Sequence, residues 1–496
     1  MTHGALLWTT PTHARQEAMP TFKKIAVLLV LIGVSVAHAR GDAAPDAATR
    51  KLAFDLFKQL IEINTTDSVG NTTTAAKAMA QRLLDAGFSP QDVVVAGPNE
   101  RKGNLVVRYH GTGKHKPILL ICHLDVVEAK REDWTTDPFQ FVEKDGYVYG
   151  RGTQDVKSGD AILIATLIRF KKEGYVPNRD LIVALTADEE GGTSNGVDWL
   201  LKNHRELVDA EYVLNPDSGG IDSENGKVVS VQLGASEKLY ADYLIVATNP
   251  GGHSSLPRPD NAIYELDAAL ERLHQSPFPF ELDAVTRPFF ERDARIEPKD
   301  VAADMQAVLG KTLDVQAAER LSKDARFNSV LRTTCVPTRL EAGHANNALP
   351  QRAQALVNCR IFPGHAKEQV RQDLVRIVAD PKLKLMFVAT DGSQNDIAPD
   401  EKSPVPLPIR ADVLTALDRV SAQMWHGVPV IAEMETGASD SIYTNAAGLP
   451  SYGVSGVAID RDDMRAHGRD ERLRISAFFE GLDFYGRVLR MLTTPK

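Results

Sequence analysis

The chain has 496 residues, 43% of them apolar and 25% charged, the profile of a globular protein with room for two or three domains. Its 57 basic and 66 acidic side chains leave a net charge of −9. That balance argues against a nucleic-acid surface and against an anionic membrane partner.

Lys23 and Lys24 precede a run of apolar or small residues, Ile25 to Ala37, which leads into Ala37-His38-Ala39. A positive start, a short apolar run and a small-x-small site predict a signal peptide over 1–39 and a periplasmic or secreted protein. The run falls short of the ~20 residues that span a bilayer, so no stable membrane insertion is expected. Residues 1–18 resemble no part of a signal, which makes Met19 the expected start.

Leu52, Leu56 and Leu60 mark a helix over 48–63, and a second follows over 73–86. Strands are expected at 104–109 and 117–122, a helix at 159–173 ended by Gly174, a strand at 180–187, a helix at 194–203 and a strand at 211–214. Alternating helices and near-continuous apolar strands predict an α/β sheet covered on both faces. The pattern changes near Ala235. A half-exposed strand at 239–248 precedes a helix capped by Asp260. Residues 276–328 are polar, helical and Pro-interrupted. Strands at 329–342 and 352–361, a helix from His365 and a strand at 384–389 complete an inserted α+β unit. Pro404, Pro406 and Pro408 mark the return, and a helix at 410–424 with strands at 429–433 and 450–455 finishes the first sheet. The expected division is 40–235 and 394–496 for the main domain, and 236–393 for the insert.

The cysteines are Cys122, Cys335 and Cys359, without a CxxC, so a cysteine zinc site is not expected. Cys335 and Cys359 lie on adjacent predicted strands and are the better pair for a disulfide in an exported protein. Buried free thiols are the alternative.

The chemistry gathers at strand ends. His123 closes the first apolar strand and Asp125 follows on the same side, where it can accept the spare imidazole N–H. In "YGRGTQDVKSGD", Gly150 and Gly152 make a tight loop and Asp155 precedes a helix, alone an N-cap reading. "LIVALTADEEGG" ends a buried strand in Asp188, Glu189 and Glu190, which would repel strongly unless a cation neutralises them. In extended chain, Glu189 and Glu190 point opposite ways. "YVLNPDSGG" supplies Asp217 and "MRAHGRDER" supplies His467. Ligands of open α/β sheets gather outside the carboxyl ends of the strands. His123, Asp155, Glu190 and Asp217 sit there, a nitrogen–oxygen metal site without thiolates. "YGVSGV" lacks the GxSxG spacing of a serine hydrolase.

On these residues, and on "HLDVV", "DEEGG", "GGHSS" and "NALP", the chain resembles the dizinc M20 peptidase family of aminoacylases, deacetylases, desuccinylases, dipeptidases and carboxypeptidase S, over about residues 48–490. It is most similar to the carboxypeptidase S and secreted N-acyl-amino-acid hydrolase branch. The resemblance implies a zinc-exopeptidase-like catalytic domain with a central mixed sheet and an inserted lid that serves dimerisation. It implies two Zn2+, with Co2+ or Mn2+ as substitutes. His123 and Asp217 would hold one ion, Glu190 and His467 the other, with Asp155 as bridge and the Asp155–Val156 peptide cis. Glu189 would be the general base, Asp125 the support of His123, and His253 in "NPGGHSS" an oxyanion donor. Asn347, Arg360, Gly437 and Ser439 would hold the substrate carboxylate, with Asn346 as a neighbour of Asn347. The substrate would be a small peptide or an N-acyl amino acid, cut by a metal-activated water. A dipeptidase or aminopeptidase is the enzymatic alternative, and a binding ectodomain with a decayed site the non-enzymatic one.

Overall fold

Two strands without a polar gap set the centre of the molecule. The computed structural model describes residues 44–403, 405–406 and 408–494, so the expected signal segment lies outside the described residues. Ile118–His123 and Leu181–Thr186 are buried at every position and run parallel. A strand covered on both faces has no wet side for polar residues, hence their apolar runs. They lie inside a mixed ten-stranded sheet. Its order is Val93–Ala96, Asn104–Tyr109, Leu181–Thr186, Ile118–His123, Tyr212–Asn215, Ser451–Gly453, Lys227–Glu237, Gly220–Glu224, Ala458–Asp460. Val430–Glu435 pairs parallel with Lys227–Glu237.

Helices cover this sheet. Lys157–Glu173 is buried along most of its length, and Gly174 ends it in the left-handed conformation, φ 67°, donating to Lys171 and Phe170 carbonyls. Helix Ala47–Ile61 starts at Asp46, whose side chain accepts from Thr49 N. A C-terminal helix, Ile475–Thr493, completes the layer, with Phe478 stacked on Phe57 at 4.8 Å. No element is predicted there from sequence, although Phe478, Leu482, Tyr485 and Leu489 recur at helical spacing.

A second, antiparallel sheet has five strands: Thr334–Ala342, Arg352–Ile361, Leu239–Thr248, Lys384–Val388 and Gln394–Asn395. Arg352–Ile361 alternates, turning Ala353, Ala355, Val357, Cys359 and Ile361 toward helices Ala262–Gln275 and Lys367–Val378. Cys335 faces Cys359 in register and the two form a disulfide. Asn261, not Asp260, caps the helix after the long strand, because Asp260 is taken by Arg258. The strand expected from Ser329 begins at Thr334, since 325–331 is a helix capped by Asp324. The short helices of 286–331 form a core of their own that includes Ile431 of strand Val430–Glu435. Lys238 alone separates Lys227–Glu237 of the first sheet from Leu239–Thr248 of the second.

Candidate metal centre

His123 ends its strand fully buried, and three other segments bring carboxylates to it. Its Nε2 lies 3.0 Å from Asp155 Oδ1 and 3.4 Å from Asp217 Oδ1. His467 Nε2 lies 2.9 Å from Asp155 Oδ2 and 2.9 Å from Glu190 Oε2. The two oxygens of Asp155 thus serve two different histidines. Two sets of three side chains, His123–Glu189–Asp217 and His123–Asp155–Glu190, each offer atoms within 4.8 Å of one another. The peptide between Asp155 and Val156 is cis, as the resemblance implies.

Charge is crowded here. Burial pushes the Glu189 carboxyl up to about 10, reinforced by Asp217. Burial likewise raises Glu190, against a hydrogen bond from His467. Burial works against ionised Asp155 too, but hydrogen bonds from His123 and His467 prevail and hold it below the usual carboxylate range. Hydrogen bonds to Asp155 and Glu190 raise His467 to about 10. Burial opposes a charged His123, yet Asp217 and Asp155 pull it well above its ordinary value. Buried carboxylates that repel one another and draw protons onto imidazoles are what a divalent cation relieves. The donor set of carboxylates and imidazoles without thiolate suits a hard-to-borderline ion. The residues fit a metal pair.

Asp188 is handled differently. The chain itself supplies its cation: buried Lys102 pairs with Asp188 and also with Asp67 at 2.6 Å. Asp188 has φ 58°, so the segment turns there and does not stay extended. Even so, Glu189 joins the His123–Asp217 set and Glu190 the Asp155 set.

Asp125 departs from expectation. His123 Nδ1 meets the main-chain oxygen of Asp125 at 3.0 Å, while the nearest carboxylate oxygen is 3.9 Å away. A carbonyl can only accept, so a proton sits on Nδ1, and Nε2, which faces Asp155 and Asp217, is the nitrogen a metal ion would take. The Asp125 carboxylate instead accepts Glu189 N at 3.2 Å and Glu190 N at 3.0 Å. The strand ends at His123, so period-two geometry does not carry on to Asp125.

Glu471 went unpredicted and is fully buried. It takes Arg151 Nη1 at 2.7 Å, Gln154 N at 2.6 Å, Gly152 N at 3.1 Å and Asp155 N at 3.2 Å. One carboxylate therefore shapes the loop that presents Asp155. Arg151 also donates to the His467 carbonyl at 3.3 Å, tying that loop to the second histidine. The signal available in sequence was the acid four residues after His467.

His253 and Asn347 are exposed neighbours. Gly252–His253 pairs with Ala348–Leu349, and Ser254 N donates to the Asn347 carbonyl at 3.1 Å. Arg360 is half-buried, 4.9 Å from the Tyr240 ring centroid, and donates to the Thr436 carbonyl at 3.3 Å. That places it against the loop holding Gly437, which is exposed. Ser439 is buried, and both its N–H and its hydroxyl are given to Glu237. Among the described residues, no hydrogen bond or ion pair joins His253, Asn347 or Arg360 to the five clustered side chains.

A family model described as peptidase family M20/M25/M40 matches residues 119–491. The N-fatty-acyl-amino acid synthase/hydrolase PM20D1 of Homo sapiens is 26% identical over 391 residues, 77% of this chain and 75% of that protein. A Dictyostelium discoideum protein named probable carboxypeptidase S-like 2 is 26% identical over 78% of this chain and 74% of its own length. The M20 family metallo-carboxypeptidase Sso-CP2 of Sulfolobus solfataricus has the same fold, with a TM-score of 0.62 at 15% identity, over 89% of this chain and 99% of that one. Human carnosine dipeptidase 1 aligns with a TM-score of 0.58 at 15% identity, over 90% of this chain and 99% of its own.

Proposed function

The chain belongs to peptidase family M20/M25/M40, and from that premise we propose that it is a metal-dependent hydrolase of the amide bond beside a free carboxylate. The substrate is a peptide's C-terminal residue or an N-acyl amino acid. One observation carries the hydrolytic reading: Asp155 faces His123 at 3.0 Å with one oxygen and His467 at 2.9 Å with the other. His123 and Asp217 would hold one ion, Glu190 and His467 the second, with Asp155 shared. Zinc suits this set, and Co2+ or Mn2+ would substitute. Bound there, a pair of divalent ions supplies Lewis acidity toward water and the scissile carbonyl.

The chain's own part is proton transfer and positioning. Glu189, in the His123–Asp217 set, takes the proton of the attacking water and delivers it to the leaving amine nitrogen. His253 and Asn347 offer polar groups to the carbonyl oxygen and the substrate carboxylate, and the exposed outer strand Thr334–Ala342 supports a homodimer formed through this sheet. Arg360 beside Thr436 and Gly437 offers a planar fork for the carboxylate. The disulfide and the Ile25–Ala37 run support export.

The test crosses wild type and Arg360→Lys with acid and amidated substrates. Wild type should prefer the acid. Arg360→Lys should lower kcat/KM on the acid by about 10-fold or more, and the loss should not add to that from amidation, since both remove one contact. Equal hydrolysis of acid and amide by wild type would sink carboxylate recognition and move an aminopeptidase ahead.

A further inference from the structure

Glu237 closes the last residue of its strand in the first sheet, one step before Lys238 and the second sheet. Its carboxylate is buried and takes two bonds from one residue. Ser439 N donates to Oε2 at 3.1 Å, and the Ser439 hydroxyl donates to Oε1. A hydroxyl has one proton and two lone pairs. Here both lone pairs are filled, by Asn215 Nδ2 at 3.1 Å and by Ser441 N at 3.2 Å. The single proton must therefore go to Glu237. Asn215 Nδ2 is spent on Ser439 and, at 3.1 Å, on Ser441 Oγ. That leaves Asn215 Oδ1 turned toward the Asp217 N–H, at 3.0 Å. Donor and acceptor are fixed at each link from Glu237 to Asp217.

We propose that Glu237 is a positioning residue: through Ser439 and Asn215 it sets the turn that aims Asp217 at His123. Asn215 and Ser441 are buried as well, so water does not readily replace a broken link. Burial pushes the Glu237 carboxyl up, to about 8, with the Ser439 bonds opposing it. The two Ser439 donors, one on each oxygen, favour the ionised form, while burial favours the protonated one. The Ser439 loop also receives Arg360 at Thr436, which ties the arm of the second sheet to the same turn.

The inference rests on the reading of His123 and Asp217 as metal-holding residues, and its test separates the two. Glu237→Gln keeps the volume but turns an N–H toward one of the two Ser439 donors. Ser439→Ala cuts the same relay without changing charge, and serves if the first variant folds poorly. Each purified variant is stripped of metal and titrated with Zn2+ against a competing chelator. Asp217→Asn identifies which of the two dissociation constants belongs to the His123–Asp217 position. That constant should weaken about 10- to 100-fold in both variants, as for residues that orient ligands, while the other holds. The double variant should be no worse than the poorer single one. Wild-type affinity at both positions in the variants, equal weakening at both, or losses that add would overturn the relay. A wild type that takes up no Zn2+ would overturn the metal reading itself.

Discussion

At the residue scale, the centre gathers side chains that stand far apart in the chain. His123 ends, and Glu189, Glu190 and Asp217 follow within four residues of, a strand whose burial is written in its side chains. Lys102 and Glu471 carry no such mark: Lys102 reaches Asp188 across 86 residues and Glu471 reaches Arg151 across 320. The charge crowding around Glu189 yields a direct expectation. Glu189→Gln removes the proton acceptor and leaves His123, Asp155, Glu190, Asp217 and His467 in place. Metal content should remain near that of wild type while kcat falls by ~10²–10⁴. Metal analysis beside steady-state kinetics checks this, and near-wild-type turnover would take the base role from Glu189.

At the element scale, period and length carry most of the information. The apolar strands and the alternating Arg352–Ile361 strand fall where expected because burial on two faces or on one leaves different patterns. Strands Gly220–Glu224, Ala458–Asp460 and Arg472–Arg474 are too short for a period to show. Their pairing is decided by what the rest of the chain places beside them. The central strand should be costly to damage. Leu120 is fully buried between Leu214 and Val183, its register partners. Leu120→Ala should lower unfolding free energy by about 2–5 kcal/mol, from lost transfer energy and the cavity left behind. Denaturant unfolding measures it, and a loss below about 1 kcal/mol would mean that the strand repacks.

At the scale of the whole molecule, the net charge of −9 argues against a nucleic-acid surface, and among the described residues no helix is long and apolar enough to cross a membrane. Export would decide where the folded chain resides. Mature protein from a periplasmic fraction should begin near Arg40, read by N-terminal sequencing. An intact terminus at Met1 or Met19 in that fraction would refute it.

The two histidines differ in one plain respect: the His123 side chain is 1% exposed and that of His467 is 55% exposed. The centre is walled behind His123 by the sheet and open beside His467. The open side beside His467 is where a substrate would enter and its products leave. A product of the proposed reaction that lingered there would stand in the path of the next substrate, and inhibition by added product, measured against substrate concentration, would then be competitive.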